Sequence, residues 1–273
     1  MASRQASLDW HKTGLLLLTL CCAALTVSAT SFSKSEGPLI IAHRGASGYA
    51  PENTMASFEL AERLGSDFIE LDVRMSRDGE LVVFHDKTVD RTTKYTGYVH
   101  NYTLRELHGM DAGSFFSAAY SNEAIVSLEE VMDRFAGRIG ILIEIKDPPL
   151  YPGIEEKLAE IVRRYELPYE DTAGIIIQSF DFEAMYRIHT LLPDIPGAVL
   201  IHPDQHPLSD ETMDKLASYA SYINYNHDLL NEEIALEIHS RNRKVMAWTI
   251  RNDQDMKRMK KLGVDGIITN YPD

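Results

Sequence analysis

The chain has 273 residues, 44% of them hydrophobic and 25% charged, with 16 Gly and 11 Pro. That composition suits a globular protein with enough apolar mass for a sizeable core, and it excludes disordered, collagen-like and repeat-array chains. Against 27 Lys and Arg stand 41 Asp and Glu, a formal net charge of -14; such a surplus of carboxylates repels phosphate backbones, so no nucleic-acid partner is expected.

Arg4 and Lys12 precede the uncharged run 15–27, and Val27, Ser28 and Ala29 supply small residues around a cleavage point. This pattern predicts a secretory signal peptide over 1–29, a short lead-in over 30–38 and a folded domain over 39–273. The apolar run reaches only about 20 Å as a helix, short of the roughly 30 Å hydrocarbon core. No stable membrane span is therefore expected after cleavage, and the mature protein is expected to be secreted, extracellular or periplasmic. Two weaker alternatives are a membrane anchor lengthened through Gly14 and Ser28, and a lipid anchor at Cys21, which the bulky Leu20 disfavours. Both cysteines, Cys21 and Cys22, lie inside the leader, so the mature chain has no disulfide framework and must be held by its core and by bound metal.

From Leu39 onward, short β-rich runs alternate with helical patterns, as in parallel βα units. Strands are predicted over 39–43, 68–75, 81–85, 139–145, 174–179, 195–201, 222–225, 244–249 and 266–269. Helices are predicted over 55–64, 128–135, 154–165, 182–192, 211–218, 231–241 and 253–262; Ile154, Leu158, Ile161 and Val162 show the three- and four-residue apolar spacing. The strands number one more than a (β/α)8 barrel needs. Ser76-Arg77-Asp78-Gly79-Glu80 is a turn of hairpin length, so the surplus strand is expected in that hairpin. Between 87 and 126 the pattern weakens into an irregular excursion over one mouth of the barrel. The predicted architecture is a single-domain α/β (β/α)8 barrel of the TIM type.

Barrel enzymes build their sites at the C-terminal ends of the strands, and those ends are unusually polar here. The first strand finishes in His43 and Arg44, the second contains Glu70 and Asp72, the third ends in His85 and Asp86, and the fourth contains Glu144 followed by Lys146. Period two puts Glu70 with Asp72, and Glu144 with Lys146, on one face of each strand. Inward carboxylates are costly unless paired or bound to an ion, so Glu70, Asp72 and Glu144 are candidate ligands for one hard divalent cation, Ca2+ or Mg2+. His43 and His85 are candidates for a proton acceptor and a proton donor. Arg44 suits a phosphoryl oxygen pair, and Lys146 a second anionic position. Plainer readings exist for each residue alone: a structural strand-end histidine, a solvated Glu-x-Asp, a Glu144–Lys146 ion pair, and Asn53 or Thr54 as the helix cap near Met55. The conjunction of four successive strand ends favours the site.

The same residues carry a family resemblance. His43-Arg44-Gly45-Ala46 with Pro51-Glu52-Asn53-Thr54, Glu70-Leu71-Asp72-Val73, His85-Asp86, Glu144-Ile145-Lys146, Gln178-Ser179-Phe180, Trp248-Thr249 and Asp265-Gly266-Ile267-Ile268-Thr269-Asn270-Tyr271-Pro272 resemble a glycerophosphodiester phosphodiesterase from Leu39 onward. The resemblance implies a phosphodiesterase barrel in which Glu70, Asp72 and Glu144 bind calcium or magnesium while His43 and His85 act as acid and base. Family members usually continue past the Thr-Asn-Tyr-Pro motif into a last helix, whereas this chain stops at Asp273, a departure that puts closure of the barrel in question. The short 87–126 excursion matches compact bacterial-type members.

The expected function is thus metal-dependent hydrolysis of a small-molecule glycerophosphodiester to glycerol 3-phosphate and an alcohol. The nearest rival is a lysophospholipase D or sphingomyelinase D-like phosphodiesterase on the same barrel, for which Tyr49, Phe115, Phe116 and Tyr120 would furnish an apolar lip. A more distant rival is a non-catalytic binding protein, against which stands the presence of both histidines and all three carboxylates.

Overall fold

The structure, a computed structural model, describes residues 37–165 and 174–273. The expected signal peptide over 1–29, with both cysteines and the cleavage motif, and the lead-in as far as 36 lie outside the described residues. Nine strands, β1 (Leu39–Ala42), β2 (Phe68–Met75), β3 (Leu81–Val83), β4 (Gly140–Ile145), β5 (Ile175–Ser179), β6 (Gly197–Ile201), β7 (Tyr222–Asn226), β8 (Met246–Ile250) and β9 (Gly266–Thr269), alternate with helices. The helices are α1 (Met55–Leu64), α2 (Leu104–His108), α3 (Leu128–Phe135), α4 (Ile154–Arg164), α5 (Phe182–Leu191), α6 (Asp210–Ala217), α7 (Glu232–Ser240) and α8 (Asp253–Leu262).

Eight strands run in parallel in the order β1-β9-β8-β7-β6-β5-β4-β2, and β1 pairs with both β9 and β2. The barrel is therefore closed, and β9 closes it. The surplus strand is β3, antiparallel to β2 across the 76–80 turn as expected. Two strands stop earlier than their apolar character suggests: β1 ends at Ala42 and β3 at Val83. In each case the following residues, His43 and His85, leave the sheet at its C-terminal edge, where a TIM barrel carries its chemistry.

Alternation of side chains divides the core in two. Ile69, Leu71 and Val73 of β2, with Ile141 and Ile143 of β4, face outward and pack under the helices. The barrel interior has an apolar floor built from one residue of each barrel strand: Ile41, Phe68, Leu142, Ile176, Ala198, Tyr222, Met246 and Ile268. Gly140 makes room for this floor, since a Cβ there would lie 2.4 Å from the Phe68 ring. Two residues further along each strand come His43, Glu70, Glu144, Gln178, Leu200, Asn224, Trp248 and Asn270, so one step of the pleat changes the lining from hydrocarbon to chemistry.

The excursion is more ordered than its sequence suggests. It contains α2, capped by Thr103 and Glu106, and its Val89, Val99, Leu107, Met110 and Ile125 pack on Val82 and Phe84 as a small second core. Its apolar residues are too widely spaced to give a periodic signal, yet they converge on one side of the hairpin.

Candidate active site

The turn after β1 sets one wall of the site. Arg44 and Gly45 adopt left-handed backbone conformations, φ 54° and 76°, and the Arg44 N–H donates to Glu70 Oε2 at 2.7 Å. Glycine is required at the second position, because a Cβ there would lie 2.4 Å from Ser57 Oγ. The chain returns through Asn53, also left-handed at φ 58°. Thr54 caps α1 by accepting from the Ser57 N–H, which settles the choice between Asn53 and Thr54. The Asn53 amide instead braces a carboxylate: Nδ2 donates to Asp72 Oδ2 at 2.8 Å, and Oδ1 accepts from the Asp72 N–H at 3.3 Å.

Glu70, Asp72 and Glu144 are 0%, 1% and 6% exposed. They come together because Asp72 on β2 and Glu144 on β4 are register partners. One oxygen of each lies within 4.8 Å of the others. Glu70 Oε1 and Asp72 Oδ1 are buried with no hydrogen-bond partner, an arrangement that costs free energy unless something positive sits between them. Burial, reinforced by the charges of Asp72 and Glu144, pushes Glu70 well above the usual carboxylate range. Burial likewise raises Glu144, against the opposing pull of Lys146. For Asp72 burial is outweighed by Arg44, Lys146, His85 and the Asn53 amide, which hold its carboxyl far below that range. Hard, anionic, crowded oxygen donors with two unsatisfied atoms fit a divalent cation such as Ca2+ or Mg2+.

Two cations border the cluster. Arg44 Nε lies 3.3 Å from Asp72 Oδ2, and its Nη1 donates to Glu52 Oε1 at 2.9 Å. Lys146 Nζ lies 2.6 Å from Glu144 Oε1 and 3.7 Å from Asp72 Oδ1. The plain ion-pair reading of Glu144 and Lys146 is therefore correct as a contact, while the same ammonium also lines the cleft.

Both histidines have Nδ1 occupied. His43 Nδ1 meets Asn270 Oδ1 at 2.7 Å, and His85 Nδ1 meets Asp86 Oδ1 at 2.6 Å. Burial, with the neighbouring Arg44 charge, lowers His43 to about 3, so its ring is neutral at physiological pH. His85 is held from below by Arg74, which is 2% exposed: its Nε and Nη2 donate to the His85 carbonyl at 3.0 and 2.5 Å, and its Nη1 lies 3.0 Å from Asp147 Oδ2. A cleft of about 640 Å³ opens from Glu144, Lys146 and His85 towards Pro148, Phe180 and His202. Phe180 packs edge-on against Trp248 with ring centroids 5.4 Å apart.

All seven residues singled out in the sequence, His43, Arg44, Glu70, Asp72, His85, Glu144 and Lys146, thus meet at one mouth. Sequence reasoning missed Glu52, Asn53, Arg74, Asp86, Arg91 and Asn270 as supporting groups. Arg74 was open to discovery, since it continues the inward positions 70 and 72; Asn53 was hidden by its resemblance to a helix cap.

A model of the Glycerophosphoryl diester phosphodiesterase family matches residues 43–273. The chain is 43% identical over 234 residues to YhdW of Bacillus subtilis, covering 86% of this chain and 95% of that protein. It is 39% identical over 261 residues to the glycerophosphodiester phosphodiesterase of the same organism, covering 90% of this chain and 89% of that enzyme. Among solved structures, a phosphodiesterase of Oleispira antarctica in complex with the product sn-glycerol-3-phosphate matches with a TM-score of 0.78 at 29% identity, over 86% of this chain and 94% of that one. By the family match over residues 43–273 and by these relatives, the chain belongs to the glycerophosphoryl diester phosphodiesterase family.

Proposed function

We propose that the protein hydrolyses glycerophosphodiesters to glycerol 3-phosphate and an alcohol, with a divalent cation held by Glu70, Asp72 and Glu144 and with His43 and His85 exchanging protons. The observation that carries this reading is the pair of orphaned carboxylate oxygens, Glu70 Oε1 and Asp72 Oδ1, in a buried triad at the mouth that also holds both histidines. The product complex of the Oleispira antarctica phosphodiesterase supports the substrate class.

The cation, when bound, neutralises phosphoryl charge and polarises the phosphorus centre. Arg44, with Nε and Nη1 engaged by Asp72 and Glu52, still has Nη2 for a phosphoryl oxygen. With Asn270 Oδ1 as acceptor, His43 Nδ1 carries a hydrogen and Nε2 keeps its lone pair; burial and Arg44 make that lone pair a weak base in the free protein, and an anionic phosphodiester bound beside it would raise its proton affinity. His43 is thus suited to take the proton of the attacking hydroxyl, whether of water or of the glycerol itself. His85 faces a carboxylate that orients the ring and balances positive charge on it, which suits Nε2 to deliver a proton to the departing alkoxide. Lys146 compensates charge at the cleft entrance.

A panel of glycerophosphodiesters assayed with calcium, magnesium or chelator tests the reading. Full turnover in excess chelator removes the metal from it, and absence of turnover on every diester removes the enzyme. A lysophospholipid substrate is the second reading, drawn from one observation: Phe115 and Phe116 are exposed, Phe116 stacks edge-on with Tyr120, and the Tyr120 hydroxyl donates to the Tyr49 carbonyl, forming an exposed aromatic cluster. Faster turnover of a lysophospholipid than of glycerophosphocholine would transfer the assignment to it. We also propose export through 1–29, supported by the charged start, the apolar run and the small residues at 27–29. N-terminal sequencing of the exported product is expected to start near Thr30; a membrane-bound product retaining 15–27 replaces secretion by anchoring.

A further inference from the structure

We propose that Arg91 is a positioning residue for the reaction: anchored on Glu52, it holds Asp86 and through it the His85 ring. The proposal rests on the acid/base reading above. Arg91 Nε donates to Asp86 Oδ2 at 2.7 Å and Nη2 to Asp86 Oδ1 at 3.1 Å. On its other side, Nη1 donates to Glu52 Oε2 at 2.9 Å and Nη2 to Glu52 Oε1 at 2.7 Å. All three guanidinium nitrogens are thus engaged, and each carboxylate is gripped by both oxygens. Each carboxylate then passes its restraint on: Asp86 Oδ1 meets His85 Nδ1 at 2.6 Å, and Glu52 Oε1 meets Arg44 Nη1 at 2.9 Å.

A planar fork gripping two carboxylates fixes angles as well as distances, which a point charge does not. Asp86 has two oxygens and two claims on them. Without Arg91 it is free to turn about its own side-chain bonds, and the imidazole it orients turns with it. Glu52 is the fixed end, because Arg44 holds it from the turn after β1. The segment that delivers Arg91 is itself pinned: Val89 is buried in the second core, and the Thr93 hydroxyl and N–H both donate to the Val89 carbonyl. With its nitrogens committed to carboxylates, Arg91 is not a phosphate ligand. Because Arg91 belongs to a bidentate network with Glu52 and Asp86, its loss can also cost stability, so turnover is read alongside melting.

The test uses the metal-loaded full chain and a glycerophosphodiester substrate, with kcat, KM and the metal-induced melting shift measured for Arg91→Ala, Arg91→Lys and Arg91→Gln, each also combined with His85→Ala. Arg91→Ala is expected to lower kcat by about tenfold to a hundredfold, the span of outer-shell positioning groups, with KM within about threefold and the metal-induced melting shift retained. Arg91→Lys is expected to recover little, since one ammonium does not grip both carboxylates. In the His85→Ala background the further loss from Arg91→Ala is expected to be under about threefold, because the ring it positions is gone. A kcat within threefold of the parent when His85→Ala is itself impaired overturns the proposal, as does a fully multiplicative loss in the double variant. Loss of the metal-induced shift in all three Arg91 variants makes Arg91 a structural pin and likewise overturns it. Near-normal turnover by His85→Ala instead removes the acid/base reading itself.

Discussion

The apolar floor of the barrel is the same all the way round, whereas the layer above it is not. On β1, β2 and β4 that second layer is His43, Glu70 and Glu144; on β5 to β9 it is Gln178, Leu200, Asn224, Trp248 and Asn270. Every titratable group of the layer therefore lies on one arc, and the other arc is neutral. The charged arc leaves the carboxylate oxygens Glu70 Oε1 and Asp72 Oδ1 buried without partners, and the neutral arc leaves one N–H, that of Trp248 Nε1, in the same state. On the neutral arc, Asn224 Nδ2 donates to Gln178 Oε1 at 3.2 Å and Asn224 Oδ1 accepts from the Met246 N–H at 3.0 Å. Buried polar groups satisfied in this way support a fold, whereas anionic oxygens buried without partners are costly unless a cation joins them. Substitutions on the two arcs should therefore separate chemistry from stability.

The largest effect is expected at the histidines. His43→Ala and His85→Ala should each reduce turnover by roughly 10²- to 10⁴-fold, the span of general acid or base catalysis, with little change in the melting temperature or in KM. Turnover near that of the parent would return that histidine to a structural role. Kinetics at saturating substrate and metal make the comparison.

Next comes the metal triad. Glu144→Gln should raise the cation concentration needed for half-maximal activity by at least the roughly 10- to 100-fold that outer partners of a metal cost, with the fold retained. The triad also sets a pH dependence. In the metal-free protein Glu70 and Glu144 have raised proton affinities, so their contribution to stability is complete below the ordinary carboxylate range and is lost as pH rises through the raised values. A cation must displace those protons, and its binding strengthens over the same interval. The metal-induced rise in melting temperature should thus grow as pH increases above that range. A rise that shrinks with pH contradicts the assignment.

A smaller loss is expected for Arg44→Lys. The guanidinium serves Asp72, Glu52 and the substrate at once, and lysine offers one point charge to all three; kcat/KM should fall by roughly tenfold, about one charge-assisted hydrogen bond. Matching kinetic constants for the two proteins would make Arg44 an ion-pair residue only.

The smallest catalytic effect belongs to the neutral arc. Asn224→Ala leaves the Met246 N–H and the Gln178 oxygen without their partner and should cost about 1–3 kcal/mol of stability, lowering the melting temperature by roughly 2–10 °C. Turnover per folded molecule should stay within about twofold. A large fall in kcat at an unchanged melting temperature would extend the chemistry to both arcs.

Much of this was legible in the chain itself. Strand β2 and strand β9 occur where alternation and β-branched runs put them, and helices α1, α3 and α8 begin and end as their caps and apolar spacing require. The excursion was not legible in this way, because Val89, Val99, Leu107 and Ile125 share a core without sharing a period. Among the site residues, those within an extended run declared their facing, whereas those on turns did not.

Pleat alternation is a property of any extended strand, so the amino-acid sequence alone determined that Glu70 and Asp72 face one way, that Glu144 and Lys146 do likewise, and that His43 and His85 stand at strand ends. Only the tertiary structure decided that Asp72 pairs in register with Glu144, since register depends on packing between strands and on where each begins. It also decided that the left-handed Asn53 turns its amide onto Asp72 and not into the cap of α1. Arg91 meets Glu52 across 39 positions of chain. No local pattern encodes such a contact, because it exists only once the excursion has folded back over the mouth.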